Sequence, residues 1–139
     1  MKKILIDTNV ILDIALDRKP FVEKSKEFLR LIVNQNIEAF ITATTVTDIY
    51  YITQKVTGHK QAIGFLKNLT RFIKIAGVDS VSIINALNSN MADFEDAVQT
   101  ESAKTNEISI IITRNKEDFE GSGLTVFNPN EYIALAMNN

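Results

Sequence analysis

The stretch Lys3-Ile-Leu-Ile-Asp-Thr-Asn-Val-Ile11 decides the fold. Lys3–Ile6 is a short apolar run that stops at a carboxylate, and it reads as a buried strand ending at Asp7. Val10, Ile11, Ile14 and Ala15 then recur at helical spacing. A strand that passes at once into a helix, through the polar turn Asp7-Thr8-Asn9, is how an α/β chain opens.

The alternation continues outward from that start. Pro20 marks a break, and Phe21 to Val33 follows with helical period. Ala39–Ile41 is a second strand, after which Thr44 and Thr45 open a helix that stops near Gly58. Gln61 to Phe72 reads as a helix, Ile73 to Val78 as a strand, Val81 to Leu87 and Phe94 to Ala103 as helices. Ile108-Ser-Ile-Ile-Ile112 is β-branched and nearly all apolar, as a buried parallel strand should be. Thr125–Phe127 is a last strand, and Pro129 opens a final helix. The expected architecture is a three-layer α/β/α fold around a central, mostly parallel sheet, in one domain over residues 1–139.

Composition narrows the chemistry. With Cys at 0, disulfide scaffolds, thiolate zinc sites and cysteine nucleophiles are excluded. One histidine, His59, leaves little room for a Ser-His-Asp triad. Any metal must be held by oxygen, which favours Mg²⁺ or Mn²⁺. No apolar stretch is long enough to span a bilayer, and Asp7 interrupts the first apolar run too early for a signal peptide, so a cytoplasmic protein with no membrane partner is expected.

A few acids stand in special positions. Asp7 follows a strand, and in open α/β sheets the carboxyl ends of strands line the ligand crevice. Asp7 or Thr8 could equally cap the next helix. Asp93 and Asp96 open a helix with the spacing of a capping box. Asp118 follows the most buried strand through Thr113-Arg-Asn-Lys-Glu-Asp118, where Asn115 is placed to cap a short turn. Asp48 interrupts an apolar helical segment. Carboxylates gathered at one end of a parallel sheet repel one another unless a cation neutralises them. Metal-assisted hydrolysis of a phosphodiester is the reaction class that follows.

These segments resemble the PIN domain, the fold of VapC-type toxin ribonucleases. Ile4 to Asp13 resembles the family's first strand and its Asp-Thr-Asn turn, Asp93 to Gln99 its third acidic motif, and Ile110 to Phe119 its last strand and final motif. The Asp-Phe-Glu-Asp and Thr-Arg-Asn forms resemble a bacterial branch of the family. The resemblance implies that Asp7, Asp93, Asp96 and Asp118 bind Mg²⁺ or Mn²⁺. It implies catalytic roles for Asp7, Asp48, Asp96 and Asp118, supported by Thr8, Asn9, Thr113 and Asn115. Asp48 stands where the family usually has Glu, and Asn115 where it often has Asp. Both departures lower the reach or charge of the site. The implied activity is endonucleolytic hydrolysis of RNA by a homodimer, with an antitoxin protein as partner. The alternatives are a non-catalytic PIN-like nucleic-acid-binding or regulatory module and a receiver-like domain. The receiver needs a Lys after the last strand, and none follows Phe127.

Charge is segregated along the chain. Net charge is −2, yet Ile49 to Val78 has no acid and carries Lys55, Lys60, Lys67, Arg71 and Lys74. Spacings of seven, four and three place Lys60, Lys67, Arg71 and Lys74 near one face of a continuous helix, a candidate RNA-facing surface. A solvated face or a subunit contact explains the same pattern. Arg114 and Lys116, beside the acidic segment, are the next candidates for RNA contact.

Overall fold

Ile4 and Ile6 of β1 (Lys3–Ile6) enter one hydrophobic cluster while Leu5 enters another, so the first strand is buried on both faces. The computed structural model describes residues 2–138. After β1 come α1 (Thr8–Ala15), α2 (Val22–Asn34), β2 (Glu38–Thr42), α3 (Ala43–Thr57), α4 (His59–Leu69) and β3 (Lys74–Ala76). Then follow α5 (Ser80–Leu87), α6 (Phe94–Thr105), β4 (Ile110–Ile112), a 3₁₀ turn (Lys116–Phe119), β5 (Thr125–Phe127) and α7 (Pro129–Met137).

The strands pair in the order β3-β2-β1-β4-β5, and every pairing is parallel. Val10, Ile11, Phe28, Ile32, Ile49, Leu66, Leu69 and Ile133 pack on one face of the sheet, which places α1 to α4 and α7 there. Ala103 and Phe119 cover the other face, with α5 joined to α6 through Ala86, Ala97 and Val98. The expected three layers are therefore present. Successive connections run from β1 out to β3, then return to β4 on the other side of β1. The order reverses between β1 and β4, where the carboxyl ends of neighbouring strands part and leave a crevice.

Helix starts explain several polar residues. Thr42 accepts from the Thr45 amide at the head of α3, and Asp79 from the Ser82 amide at the head of α5. Asn128 and Glu131 form a full capping box on α7, with Pro129 in its first turn. Gly58, at φ 90°, breaks α3 from α4 in a conformation that a side chain rarely adopts.

Element boundaries depart from the sequence reading where a cap intervenes. The helix expected over Gln61 to Phe72 is α4, and it stops at Leu69. Thr70 Oγ1 donates back to the Leu66 carbonyl, and the chain turns so that Ile73 can be buried. This breaks the continuous helix on which a common face of Lys60, Lys67, Arg71 and Lys74 depended. Lys60 and Lys67 lie on α4, Arg71 lies in the turn, and Lys74 opens β3 and pairs with Glu38 at 3.0 Å. Arg71 and Lys74 border a groove at the amino-terminal edge of the sheet, the end opposite the carboxylates.

Candidate active site

Asp7 sits at the head of α1 but does not cap it: its side chain accepts nothing from the first turn of that helix through an N-cap bond. Its oxygens face the crevice instead. Oδ1 accepts from Gln99 Nε2 at 2.9 Å, and Oδ2 accepts from Thr113 Oγ1 at 2.8 Å. The backbone amide of Asp7 donates to the Ile112 carbonyl at 2.9 Å, which locks this residue between β1 and β4. Only 4% of Asp7 is exposed. Burial raises its pKa, and the hydrogen bonds from Gln99 and Thr113 oppose that rise.

A cleft of about 380 Å³ opens beside Asp7. It is bordered by six carboxylates, Asp7, Asp48, Asp93, Glu95, Asp96 and Asp118, and by no Lys or Arg. Three elements besides β1 supply them. Asp48 comes from α3, Asp93 to Asp96 from the head of α6, and Asp118 from the 3₁₀ turn after β4. Asp93 does cap α6, with Oδ1 accepting from the Asp96 amide at 2.9 Å, and it borders the cleft as well. Capping the helix therefore does not remove Asp93 from the cleft wall.

Crowding shows in the proton affinities. Asp96 is pushed up to about 7, first by burial and then by the charges of Asp93, Asp7, Asp118 and Glu95. Glu95 is raised chiefly by the charge of Asp48. Asp48 is raised by burial, offset in part by a hydrogen bond with Glu95. Proton sharing between these two carboxyls is the physical consequence.

The supporting residues divide. Thr113 holds Asp7 directly, and Thr8 and Asn9 border the cleft. Thr8 shares a 2.8 Å hydrogen bond with Thr45, whose hydroxyl donates to Gln99 Oε1 at 3.5 Å, so the Thr8 side chain reaches Asp7 only through that chain. Asn115 stands at the head of the 3₁₀ turn but makes no side-chain cap and does not border the cleft. Its amide donates to Thr113 Oγ1 at 3.1 Å, while the Asp118 amide donates to the Asn115 carbonyl at 3.0 Å. Its contribution is thus made by the backbone, because Thr113 already occupies the polar ground next to Asp7.

Neither Arg114 nor Lys116 borders the acidic cleft. Arg114 Nε donates to the fully buried Asp13 at 2.8 Å, and Lys116 pairs with Glu131 at 3.0 Å. Sequence reading missed Gln99, Glu95 and Tyr51 as parts of the site. Gln99 was visible as the residue three after Asp96 on α6, on the same side of the helix. Tyr51, three after Asp48, carried the same signal on α3.

Donor chemistry and electrostatics fit a hard divalent cation. The ligating atoms on offer are oxygens, and among the described residues no Lys or Arg borders the cleft to neutralise them. Among the described residues no three acidic or histidine side chains converge as a ready-made cage. Mg²⁺ fits such a cleft because it keeps several waters and takes only one or two carboxylates.

A model of the family described as "PIN domain" matches residues 3–117. The chain belongs to the PIN domain family. Its similarity extends to Ribonuclease VapC1 of Aquifex aeolicus (strain VF5), 23% identical over 120 residues that cover 83% of each chain. Among solved structures, DNA-bound VapBC from Salmonella typhimurium superposes with a TM-score of 0.70 at 17% identity, covering 93% of this chain and 99% of that one. VapC20 of Mycobacterium tuberculosis, described as a sarcin-ricin loop cleaving toxin, gives 0.67 at 13% identity, over 85% and 95%. At those identities the structures establish a shared PIN fold. The matched residues 3–117 include every cleft acid except Asp118, which lies one residue beyond.

Proposed function

We propose that this PIN domain is a Mg²⁺- or Mn²⁺-dependent endoribonuclease and the toxin of a toxin–antitoxin pair. The observation that carries the reading is the cleft at the β1–β4 crevice, with six carboxylates and no basic side chain. Its placement is that of a ligand site in an open α/β sheet. Support comes from the relative named a ribonuclease and from structural neighbours, one described as a toxin–antitoxin complex from Klebsiella pneumoniae and one as a sarcin-ricin loop cleaving toxin.

A bound divalent cation supplies charge neutralisation for the scissile phosphate and acidifies the attacking water. The chain's own residues do the rest. Asp7, fixed by Gln99 and Thr113, presents its remaining lone pairs to the cleft. Asp96 and Asp118 face it from the other walls. Asp7, Asp96 and Asp118 would hold the cation, and its charge would offset the repulsion that pushes Asp96 up in the metal-free cleft. Asp48 and Glu95 form a proton-sharing pair beside them.

The antitoxin would be a protein segment that enters the same cleft, and the working unit would be a homodimer. No helix of the described residues is long and apolar enough to cross a membrane.

The test is cleavage of single-stranded RNA by purified protein in Mn²⁺, in chelator, and with Asp7→Asn as control. Cleavage that needs metal and Asp7 supports the reading. Lack of cleavage in Mg²⁺ and Mn²⁺ alike, with metal nonetheless bound, would favour the non-catalytic alternative.

A further inference from the structure

Arg114 and Phe21 border a second cavity, on the other side of α1. Thr113 holds Asp7, and the next residue, Arg114, turns away from the acids to pair with Asp13. The Arg114 guanidinium lies 4.2 Å from the centroid of the Phe21 ring. Both border a cavity of about 320 Å³ between α1, the head of α2 and the head of α7. Phe21 is 40% exposed, so its ring is open to a ligand in the cavity.

The two sites are neighbours with opposite character. Leu12 borders the acidic cleft and Asp13 borders the cavity, so α1, roughly 10 Å wide, is all that separates them. The cleft lining has no basic side chain, whereas Arg114 and Lys24 border the cavity, Arg114 paired with the buried Asp13 and Lys24 with Glu27. The cavity thus offers a strand leaving six carboxylates a wall without their repulsion. Pro20, Phe21 and Pro129 give the cavity apolar walls, and Asn130 gives it a polar edge. Its volume is at the low end of the roughly 300–1,000 Å³ of small-ligand pockets, room for one planar heterocycle.

We propose that this cavity is a nucleobase subsite: one unpaired base of single-stranded RNA, a few nucleotides from the scissile phosphate, stacks against Phe21 and Arg114. The proposal rests on the ribonuclease reading and adds to it a source of sequence preference. Asp13 acts as a positioning residue, since it holds the Arg114 plane in place. Stacking on an aromatic side chain tolerates any base, and Asn130 would supply the discrimination.

The experiment uses full-length protein carrying Asp7→Asn, so that RNA is bound and not cut, in Mg²⁺. Anisotropy of a labelled single-stranded RNA is measured with and without Phe21→Ala, and again with oligonucleotides that each lack one base. Phe21→Leu keeps the apolar bulk and checks the fold, and Phe72→Ala removes an exposed aromatic at the opposite end of the sheet. We expect Phe21→Ala to weaken binding by about 5- to 100-fold. One abasic position should weaken the parent similarly and leave the Phe21→Ala protein unaffected, and Phe72→Ala should match the parent. Equal affinity of the Phe21→Ala and parent proteins, or no single sensitive abasic position, overturns the subsite and leaves the ribonuclease reading standing. If wild-type protein neither binds nor cuts RNA, that reading falls and the subsite falls with it.

Discussion

Gln99 Nε2 donates a 2.9 Å hydrogen bond to Asp7 Oδ1, joining α6 to the end of β1 across 92 residues of sequence. Both residues are buried, and the bond orients a carboxylate whose other oxygen is held by Thr113. Gln99→Ala leaves that carboxylate without one of its two side-chain donors. The expected cost is about 1–3 kcal/mol, with a further rise in the Asp7 pKa. At roughly 3 °C per kcal/mol, thermal melting should show a fall of several degrees. Cleavage in Mn²⁺ should fall more steeply than stability explains, because Asp7 is then oriented by Thr113 alone. A variant with wild-type melting and activity would remove Gln99 from the site.

Asp96 predicts a pH dependence. Its pKa in the folded protein is about 7, above the ordinary 3.8, so the folded state holds this proton more tightly than the unfolded chain. The resulting stability is complete below about pH 4 and is lost as pH rises through about 7. In chelator, wild-type melting temperature minus that of Asp96→Asn should therefore fall between about pH 5 and pH 8. Using the difference removes Glu38, Asp79 and Glu131, whose lowered pKa values act in the opposite direction as pH falls. A difference that is flat across this window would show that the cleft does not perturb Asp96.

Asp7→Asn should abolish cleavage, by at least about 100-fold, while the fold persists. Neutralising one of six crowded carboxylates relieves repulsion, so its melting temperature in chelator should equal or exceed that of wild type. Mn²⁺ should reverse the ranking. Metal at 100 times its dissociation constant stabilises wild type by about 2.7 kcal/mol, and the variant by less. Paired melts in chelator and Mn²⁺ check both halves.

Asp13 is fully buried against Arg114 at 2.8 Å, with Arg18 at 3.7 Å. Arg114→Ala strands that carboxylate with the longer partner alone and should cost about 2–4 kcal/mol in denaturant unfolding. Replacing both partners by apolar residues, Asp13→Leu with Arg114→Met, should recover most of the loss. A single variant as stable as wild type would mean that Arg18 satisfies Asp13 by itself. The ion pair also means that RNA-binding effects of Arg114 variants must be read beside their stability.

The five strands, the parallel sheet and the acids Asp7, Asp48, Asp93, Asp96 and Asp118 were legible in the sequence. Strand burial and helical period are local, so Lys3–Ile6 and Ile110–Ile112 announce themselves through runs of β-branched or apolar residues, and a carboxylate after such a run has few places to go. The basic face was not legible: it assumed a helix through Lys74, and Thr70 ended that helix at Leu69 through a bond to the Leu66 carbonyl. Spacing along α6 puts Gln99 on the Asp96 side, but that it bonds Asp7, and that Glu95 meets Asp48, depends on what lies across from them. Likewise Asp7 could cap α1 or face the crevice on sequence grounds. Only the arrival of Gln99 and Thr113 from 92 and 106 residues away decided between them, because two buried donors satisfy a carboxylate better than one amide in its own turn.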